Sequence, residues 1–145
     1  MLVIDQIVKD RMIEDAIGAF PDECCGFFFG RETLENDRQI TDMLVVVNSK
    51  PGDKTRRFEI SPLDYLKAEQ YAIDKNLLLL GVYHSHPNHP AIPSEHDRKS
   101  AQPWFSYVII SIMNGEFANL RSWVINNESI FEEEKITDYQ ITQIN

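Results

Sequence analysis

The sequence predicts one mixed α/β domain, with a central mixed β-sheet flanked by two main helices and one short helix. Its 145 residues, 43% of them hydrophobic, suffice for one well-packed core and fall short of two ordinary domains. Short apolar runs alternate with stretches in which apolar residues recur at helical spacing. The chain has neither an internal repeat nor a low-complexity segment. We therefore expect residues 1–145 to form a single domain.

The first part of the chain predicts three strands and one long helix. In order, these are a strand over Leu2–Ile4, a helix over Asp5–Ala19, a strand over Cys24–Phe29, a polar turn over Gly30–Asp37 and a strand over Ile40–Val47. Asp5 is a suitable N-cap for the helix, and Pro21 ends it. Because Cys24–Phe29 is apolar without interruption, that strand and the next should lie at the centre of the sheet.

The second part predicts two helices and further strands. In order, these are a short strand over Arg57–Ile60, a helix over Pro62–Lys75, a buried strand over Leu77–Tyr83, a short helix over Ser94–Ala101, a strand over Phe105–Ile112 and a closing pair over Asn119–Ile125 and Ser129–Ile136. Ser61 is a good N-cap, and Pro62 suits the first helical position.

Charge and hydropathy exclude two classes of partner. A net charge of -9 repels phosphate backbones, and no cluster of lysine or arginine offsets it, so we expect no binding to nucleic acid. The pair Arg56 and Arg57 is expected in a solvated loop, with contact to an acidic partner as the alternative. No stretch reaches the roughly 20 apolar residues of a membrane span, and the N-terminus lacks the features of a signal peptide. We expect a soluble cytoplasmic protein.

The two cysteines, Cys24 and Cys25, are adjacent, which disfavours a disulfide between them. They are expected to be free thiols buried by packing in a protein from a reducing compartment. Metal ligation and nucleophilic catalysis are the alternatives. Metal ligation would favour spaced pairs, and a nucleophile would need a nearby histidine base.

Histidine and aspartate residues follow the buried Leu77–Tyr83 strand at the spacing of a metal site. His84 and His86 are two residues apart, so on an extended segment both side chains project from one face and can bind the same ion. Asp97 offers a third ligand, and three protein ligands leave open the fourth position that catalytic zinc uses. His89 and His96 are expected to be exposed polar residues.

Asp97 also has a structural interpretation. Ser94 and Asp97 match the spacing of a capping box, in which the serine caps a helix and the acid bonds back to the cap. We expect the two roles to compete, because a carboxylate that closes a capping box is turned away from a metal, although a helix start would still position it well.

The segment His84-Ser85-His86-Pro87, followed after six residues by Ser94-Glu95-His96-Asp97, resembles the signature of the JAMM metallopeptidases. These enzymes are the catalytically competent branch of the MPN domain family. Upstream, Pro21–Gly26 resembles the segment that carries the catalytic glutamate in small bacterial members. The resemblance implies that this glutamate lies on a strand that follows the first helix. The resemblance covers nearly the whole chain and implies the cytidine-deaminase-like MPN fold.

The resemblance implies a role for each site residue. His84, His86 and Asp97 would hold one zinc ion per chain, Glu23 would be the general acid and base, and Ser94 would steady the oxyanion. Apart from the resemblance, the sequence does not distinguish Glu23 from Glu59 or Glu95.

The resemblance also implies a substrate class. Small bacterial members act on ubiquitin-like sulfur carrier proteins, so we expect hydrolysis of the bond after a C-terminal Gly-Gly, with peptide and isopeptide bonds both open. One alternative is a metal-dependent hydrolase of a small-molecule amide. Another is a noncatalytic MPN scaffold, although scaffold members lack metal residues and this chain keeps all five site residues.

Overall fold

The computed structural model describes residues 1–139, which contain three helices and one mixed eight-stranded sheet. In chain order the elements are β1 (Leu2–Asp5), α1 (Gln6–Ala19), β2 (Cys25–Glu32), β3 (Arg38–Val46), α2 (Pro62–Lys75), β4 (Leu78–Pro87), α3 (Glu95–Ser100), β5 (Ser106–Met113), β6 (Glu116–Ile125), β7 (Phe131–Glu134) and β8 (Ile136–Tyr139). The strands lie in the order β7-β6-β5-β4-β2-β3-β1-β8. The predicted α/β class, with two main helices and one short one, is confirmed.

Strand β2 is buried on both faces because the two long helices cover opposite sides of the sheet. Phe28 packs in the cluster under α1, which contributes Val8, Met12 and Ala16. Phe27 and Phe29 point the other way, into a cluster under α2. This two-sided burial explains why the strand is an uninterrupted apolar run.

The apolar residues of α2 only partly face the core. Ala68 and Ala72 are buried against the sheet, whereas Leu63, Leu66 and Ile73 are 59%, 62% and 72% exposed. Ser61 caps the helix as predicted, accepting a hydrogen bond from the Asp64 backbone. In the described residues, no helix combines the length and hydrophobicity required to cross a bilayer.

The turn predicted over Gly30–Asp37 is wrong in its first part, because β2 continues through Glu32. Gly30 pairs with Ile40 at a point where a Cβ atom would lie 1.7 Å from the Gln39 carbonyl oxygen. Only a glycine permits that approach, so the residue that suggested a turn instead allows the strand to continue.

Two further strand predictions are wrong, because contacts between distant segments decided the structure at these positions. Arg57–Ile60 forms no strand, because its backbone bonds to a side chain and a loop: Glu59 donates to Asn48 Oδ1, and Ser49 donates to the Glu59 carbonyl. The predicted closing strand over Ser129–Ile136 is divided. Strand β7 pairs with β6 at one edge of the sheet, and β8 pairs with β1 at the other.

The connection from β4 to α3 is held rigidly against the sheet. Its backbone accepts hydrogen bonds from Ser111 Oγ at His89 (2.6 Å) and from Trp123 Nε1 at Ala91 (3.0 Å), and the Asn88 N–H donates to Ile112. These contacts place the start of α3 beside the carboxyl end of β4.

We predict that Gly26→Ala will destabilise the protein strongly. A Cβ atom at Gly26 would lie 2.4 Å from both the Leu44 carbonyl oxygen and the Tyr83 ring, whereas one at Gly18 in α1 would meet nothing within 4 Å. In urea denaturation, Gly26→Ala should lose about 2 kcal/mol or more of unfolding free energy through overpacking. The matched variant Gly18→Ala should gain up to about 1 kcal/mol from helix propensity. Unchanged stability of Gly26→Ala would contradict this packing.

Candidate functional site

The structure brings the predicted ligand atoms of His84, His86 and Asp97 together in a compact triangle. The two Nε2 atoms are 3.1 Å apart, and the Asp97 oxygens lie 3.3 Å from His84 Nε2 and 3.2 Å from His86 Nε2. Ligands arranged tetrahedrally about 2.0–2.1 Å from a zinc ion lie roughly 3.3–3.4 Å from one another. The observed spacing and the donor set therefore fit a single tetrahedral ion.

Both histidines lie within β4 and share one face of the strand, as their spacing predicts. Nδ1 of His86 is 2.8 Å from the Pro90 carbonyl oxygen, which only accepts hydrogen bonds. In its neutral form the ring therefore carries its proton on Nδ1, which leaves the lone pair on Nε2 that a metal ligand requires. The His84 ring stacks on Phe58 at 4.5 Å, and burial lowers its pKa, which also favours a neutral ring.

Asp97 combines the two roles that the sequence placed in competition, so that expectation is wrong. Its Oδ2 accepts a 2.8 Å hydrogen bond from the Ser94 N–H, and Ser94 Oγ accepts from the Asp97 N–H, completing the capping box. The same carboxylate faces both histidines. Burial alone would raise its pKa, but His84, His86 and the Ser94 N–H together hold the pKa of Asp97 well below its usual range.

Glu23 does not lie on a strand as expected, but two residues before β2 begins. Cys25 pairs with His84 at the start of β2. One residue beyond this pair, the Cys24 N–H donates to Ser85 Oγ at 2.8 Å, and the Ser85 N–H donates to the Cys24 carbonyl. Continuing this register places Glu23 opposite His86. The structure therefore brings the predicted acid and the ligand group to one place.

Glu23 lines a cavity of about 450 Å³ together with Arg56, His86, His89, Pro90, Ile92 and Ser94. Burial raises the pKa of the Glu23 carboxyl to about 8; His86 opposes this rise and Asp97 adds to it. A group with such a pKa exchanges protons near neutral pH, which a general acid and base requires.

The other acids and histidines considered from the sequence are less well placed for acid–base catalysis or metal binding. Glu95 is exposed and pairs with Arg98. Glu59 is exposed and pairs with Lys50, although it lines a second cavity of about 260 Å³ that also includes His84 and Asp97. His89 is exposed as expected. His96 is partly buried in the wall of the second cavity, which corrects the expectation that it is exposed.

Three residues contribute to the site without having been predicted to do so. Ser85 is fully buried and ties the Glu23 segment to β4. Asn48 donates to the carbonyl oxygens of Glu23 and Arg57, and Phe58 stacks on His84. Each of these residues acts through a long-range contact, which no local sequence pattern indicates. Asn48 also lies among turn-forming residues, and a turn alone would explain an asparagine at that position.

Comparison with known proteins gives consistent matches. Residues 5–126 match the family described as prokaryotic homologues of the JAB domain. The chain is 31% identical over 127 residues to a desampylase of Pyrococcus furiosus, covering 87% of this chain and 83% of that protein. It is 28% identical over 134 residues to a CysO-cysteine peptidase of Mycobacterium tuberculosis, covering 92% and 88%.

Solved structures agree on the fold. A protein of Desulfitobacterium hafniense superposes with a TM-score of 0.84 at 27% identity, covering 97% of this chain and 94% of that one. A JAB1/MPN domain protein of Archaeoglobus fulgidus superposes with a TM-score of 0.58 at 15% identity, covering 97% and 98%, and shows the fold alone. The MPN fold inferred from the motifs is confirmed.

Cys24 and Cys25 are free and buried, as predicted. Burial raises the pKa of the Cys25 thiol to about 12, with nearby acids adding to the effect, and that of Cys24 rises further for the same reason. Neither thiol is therefore a nucleophile at neutral pH.

We predict that both thiols resist alkylation in the native protein. Because the thiolate is the reactive form, modification by iodoacetamide at pH 8 should be at least about a hundredfold slower than in the same chain unfolded in urea. Intact-mass analysis over time measures both rates. Rapid modification of either cysteine in the folded protein would contradict the proposed packing.

Proposed function

Because the chain belongs to the family of prokaryotic homologues of the JAB domain, we propose that it is a zinc-dependent peptidase that hydrolyses the bond after the C-terminal Gly-Gly of a ubiquitin-like sulfur carrier protein. The chain is a hydrolase, as the names of its relatives indicate. One relative's name specifies a peptidase for CysO-cysteine, which supports a bond to a single residue as one form of the substrate. The two buried free thiols of this chain support a cytoplasmic location.

The observation that carries this proposal is the buried triangle of His84, His86 and Asp97, with Glu23 and Ser94 in the wall of the adjoining cavity. Two imidazoles and one carboxylate form a donor set typical of catalytic zinc, which retains an open position. Zinc bound there would acidify water and polarise a carbonyl group. A noncatalytic scaffold would need neither the ligands nor a buried acid beside them.

Glu23 moves the proton in this scheme. Its carboxylate takes a proton from the attacking water as hydroxide adds to the glycine carbonyl carbon, and it delivers that proton to the leaving nitrogen as the C–N bond breaks. The products are a carrier ending in a glycine carboxylate and a free amine. The backbone contacts of Glu23 with Lys54 and Asn48 hold its position, and in the part of the chain that the structure describes no hydrogen bond engages the carboxylate.

Ser94 is suited to stabilise the oxyanion. Its Oγ accepts a hydrogen bond from the Asp97 N–H, which fixes the oxygen and leaves the hydroxyl proton free to be donated. A donor aimed at the developing charge lowers the barrier, since the charge is larger in the transition state than in the substrate.

We predict binding of one zinc ion per chain, measured by calorimetry with the metal-free protein. His86→Ala should weaken this binding by about a hundredfold or more, because it removes one of three ligands. The matched variant His89→Ala alters an exposed histidine three residues away and should change the affinity less than about twofold. The ligand assignment fails if the wild type binds no zinc or if both variants lose affinity equally.

We predict that the zinc-loaded protein cleaves a sulfur carrier bearing a short extension after Gly-Gly, and that Glu23→Gln slows cleavage about 10²- to 10⁴-fold, the range expected for loss of an acid–base group. Intact-mass analysis reports cleavage, and zinc titration of the variant checks that metal binding remains. Glu95→Gln, which alters an exposed glutamate, serves as the control and should cleave normally. If the zinc-loaded wild type leaves this substrate intact, the carrier proposal is wrong, and small-molecule amides become the class to assay.

A further inference from the structure

Arg56 carries a positive charge into the wall of the cavity that contains Glu23, His86 and Ser94. The side chain is exposed, and within residues 1–139 its guanidinium makes neither a hydrogen bond nor an ion pair. The nearby acid Asp53 forms no ion pair with it in the described residues. Hydrogen bonds from Thr55 lower the pKa of the Asp53 carboxyl, and the charge of Arg56 makes a smaller contribution. Arg56 is therefore available to an anionic group of a substrate.

The backbone around Arg56 is fastened to the Glu23 segment at two points. On one side, the Lys54 carbonyl accepts a 2.7 Å hydrogen bond from the Glu23 N–H. On the other side, Asn48 Nδ2 donates to both the Arg57 carbonyl (3.1 Å) and the Glu23 carbonyl (3.2 Å). Arg56 lies between these anchors, so its position relative to the proposed general base is set by the backbone.

The charges in the cavity restrict what Arg56 can bind. Of the described residues that line the cavity, Arg56 is the one lysine or arginine, and the chain as a whole has a net charge of -9, so among these side chains the guanidinium is the one that favours an anion. The planar fork of arginine matches a carboxylate, with two parallel hydrogen bonds to its two oxygens. The ligand expected at Arg56 is therefore a carboxylate.

Only the leaving side of the proposed substrate offers a carboxylate close to the scissile bond. The residues before the bond are glycines, which have no side chain. A single residue after the bond carries its α-carboxylate two bonds from the scissile nitrogen. In an isopeptide, the nitrogen belongs to a lysine side chain and has no carboxylate nearby.

We infer that Arg56 binds the α-carboxylate of a single leaving residue and so makes this enzyme selective for removal of one C-terminal amino acid over isopeptide cleavage. This inference rests on the proposed function and specifies its substrate. It gives Arg56 a role in specificity, separate from the proton transfer assigned to Glu23.

The test compares two forms of one substrate: a ubiquitin-like sulfur carrier extended by a single alanine after Gly-Gly, as the free acid and as the C-terminal amide. For the zinc-loaded wild type, kcat/KM for the acid should exceed that for the amide by about ten- to a hundredfold, as expected for a charge-assisted hydrogen bond. Arg56→Ala should bring this ratio to about one, mainly through KM. Arg57→Ala, which removes the same charge from an exposed neighbour that does not line the cavity, should keep the ratio of the wild type.

Any other result of this comparison contradicts either the role of Arg56 or the proposed function. Equal cleavage of acid and amide by the wild type overturns the role of Arg56 while leaving the peptidase proposal intact. An unchanged ratio in Arg56→Ala, or the same fall in Arg57→Ala, also overturns it. Cleavage of neither form overturns the proposed function, and the inference falls with it. Because Arg56 is exposed, the alanine variant should fold normally, which circular dichroism verifies.

Discussion

The site depends on one buried carboxylate, that of Asp97, which joins the carboxyl end of β4 to the start of α3. A buried charge is costly unless it is paired and hydrogen-bonded, and Asp97 has both forms of compensation. The Ser94 N–H donates to it at 2.8 Å, and the two imidazoles face its oxygens at 3.2 and 3.3 Å. Because α3 has only six residues, its position depends on this cap and on the anchored connection before it.

A second constraint acts on Glu23 through its backbone. The Asn48 side chain uses both donor and acceptor groups: Nδ2 bonds the Glu23 and Arg57 carbonyl oxygens, and Oδ1 accepts from the N–H groups of Lys50 and Glu59. A fully bonded amide of this kind holds the loop and the Glu23 segment as one unit. The Glu23 carboxylate is thus positioned through its backbone, without a hydrogen bond to any other side chain among residues 1–139.

The two acids of the site have opposite electrostatic environments. Burial and the neighbouring Asp97 raise the pKa of Glu23 to about 8, whereas the two histidines and a backbone N–H lower that of Asp97 despite its burial. Environments that separate the pKa values of neighbouring carboxyls assign them different tasks. Asp97 is thereby kept ionised, as its proposed role as a ligand requires, and Glu23 can gain and lose a proton, as its proposed acid–base role requires.

The sequence by itself determined the features that depend on neighbouring residues: the helix period, the Ser61 and Ser94 caps, and the common face of His84 and His86. These arise from local backbone geometry, which a short stretch of sequence specifies. Only the tertiary structure decided the features that depend on pairing between distant segments. The pairing of β2 with β4 brought Glu23 to the cavity that His86 also lines, and β7 and β8 joined opposite edges of the sheet. A bond from the Glu59 N–H to the Asn48 side chain took the place of the strand pairing expected at 57–60. The tertiary structure likewise decided that Asp97 can cap the helix and face both histidines at once. One carboxylate has two oxygens and several lone pairs, and sequence spacing does not show where each one points.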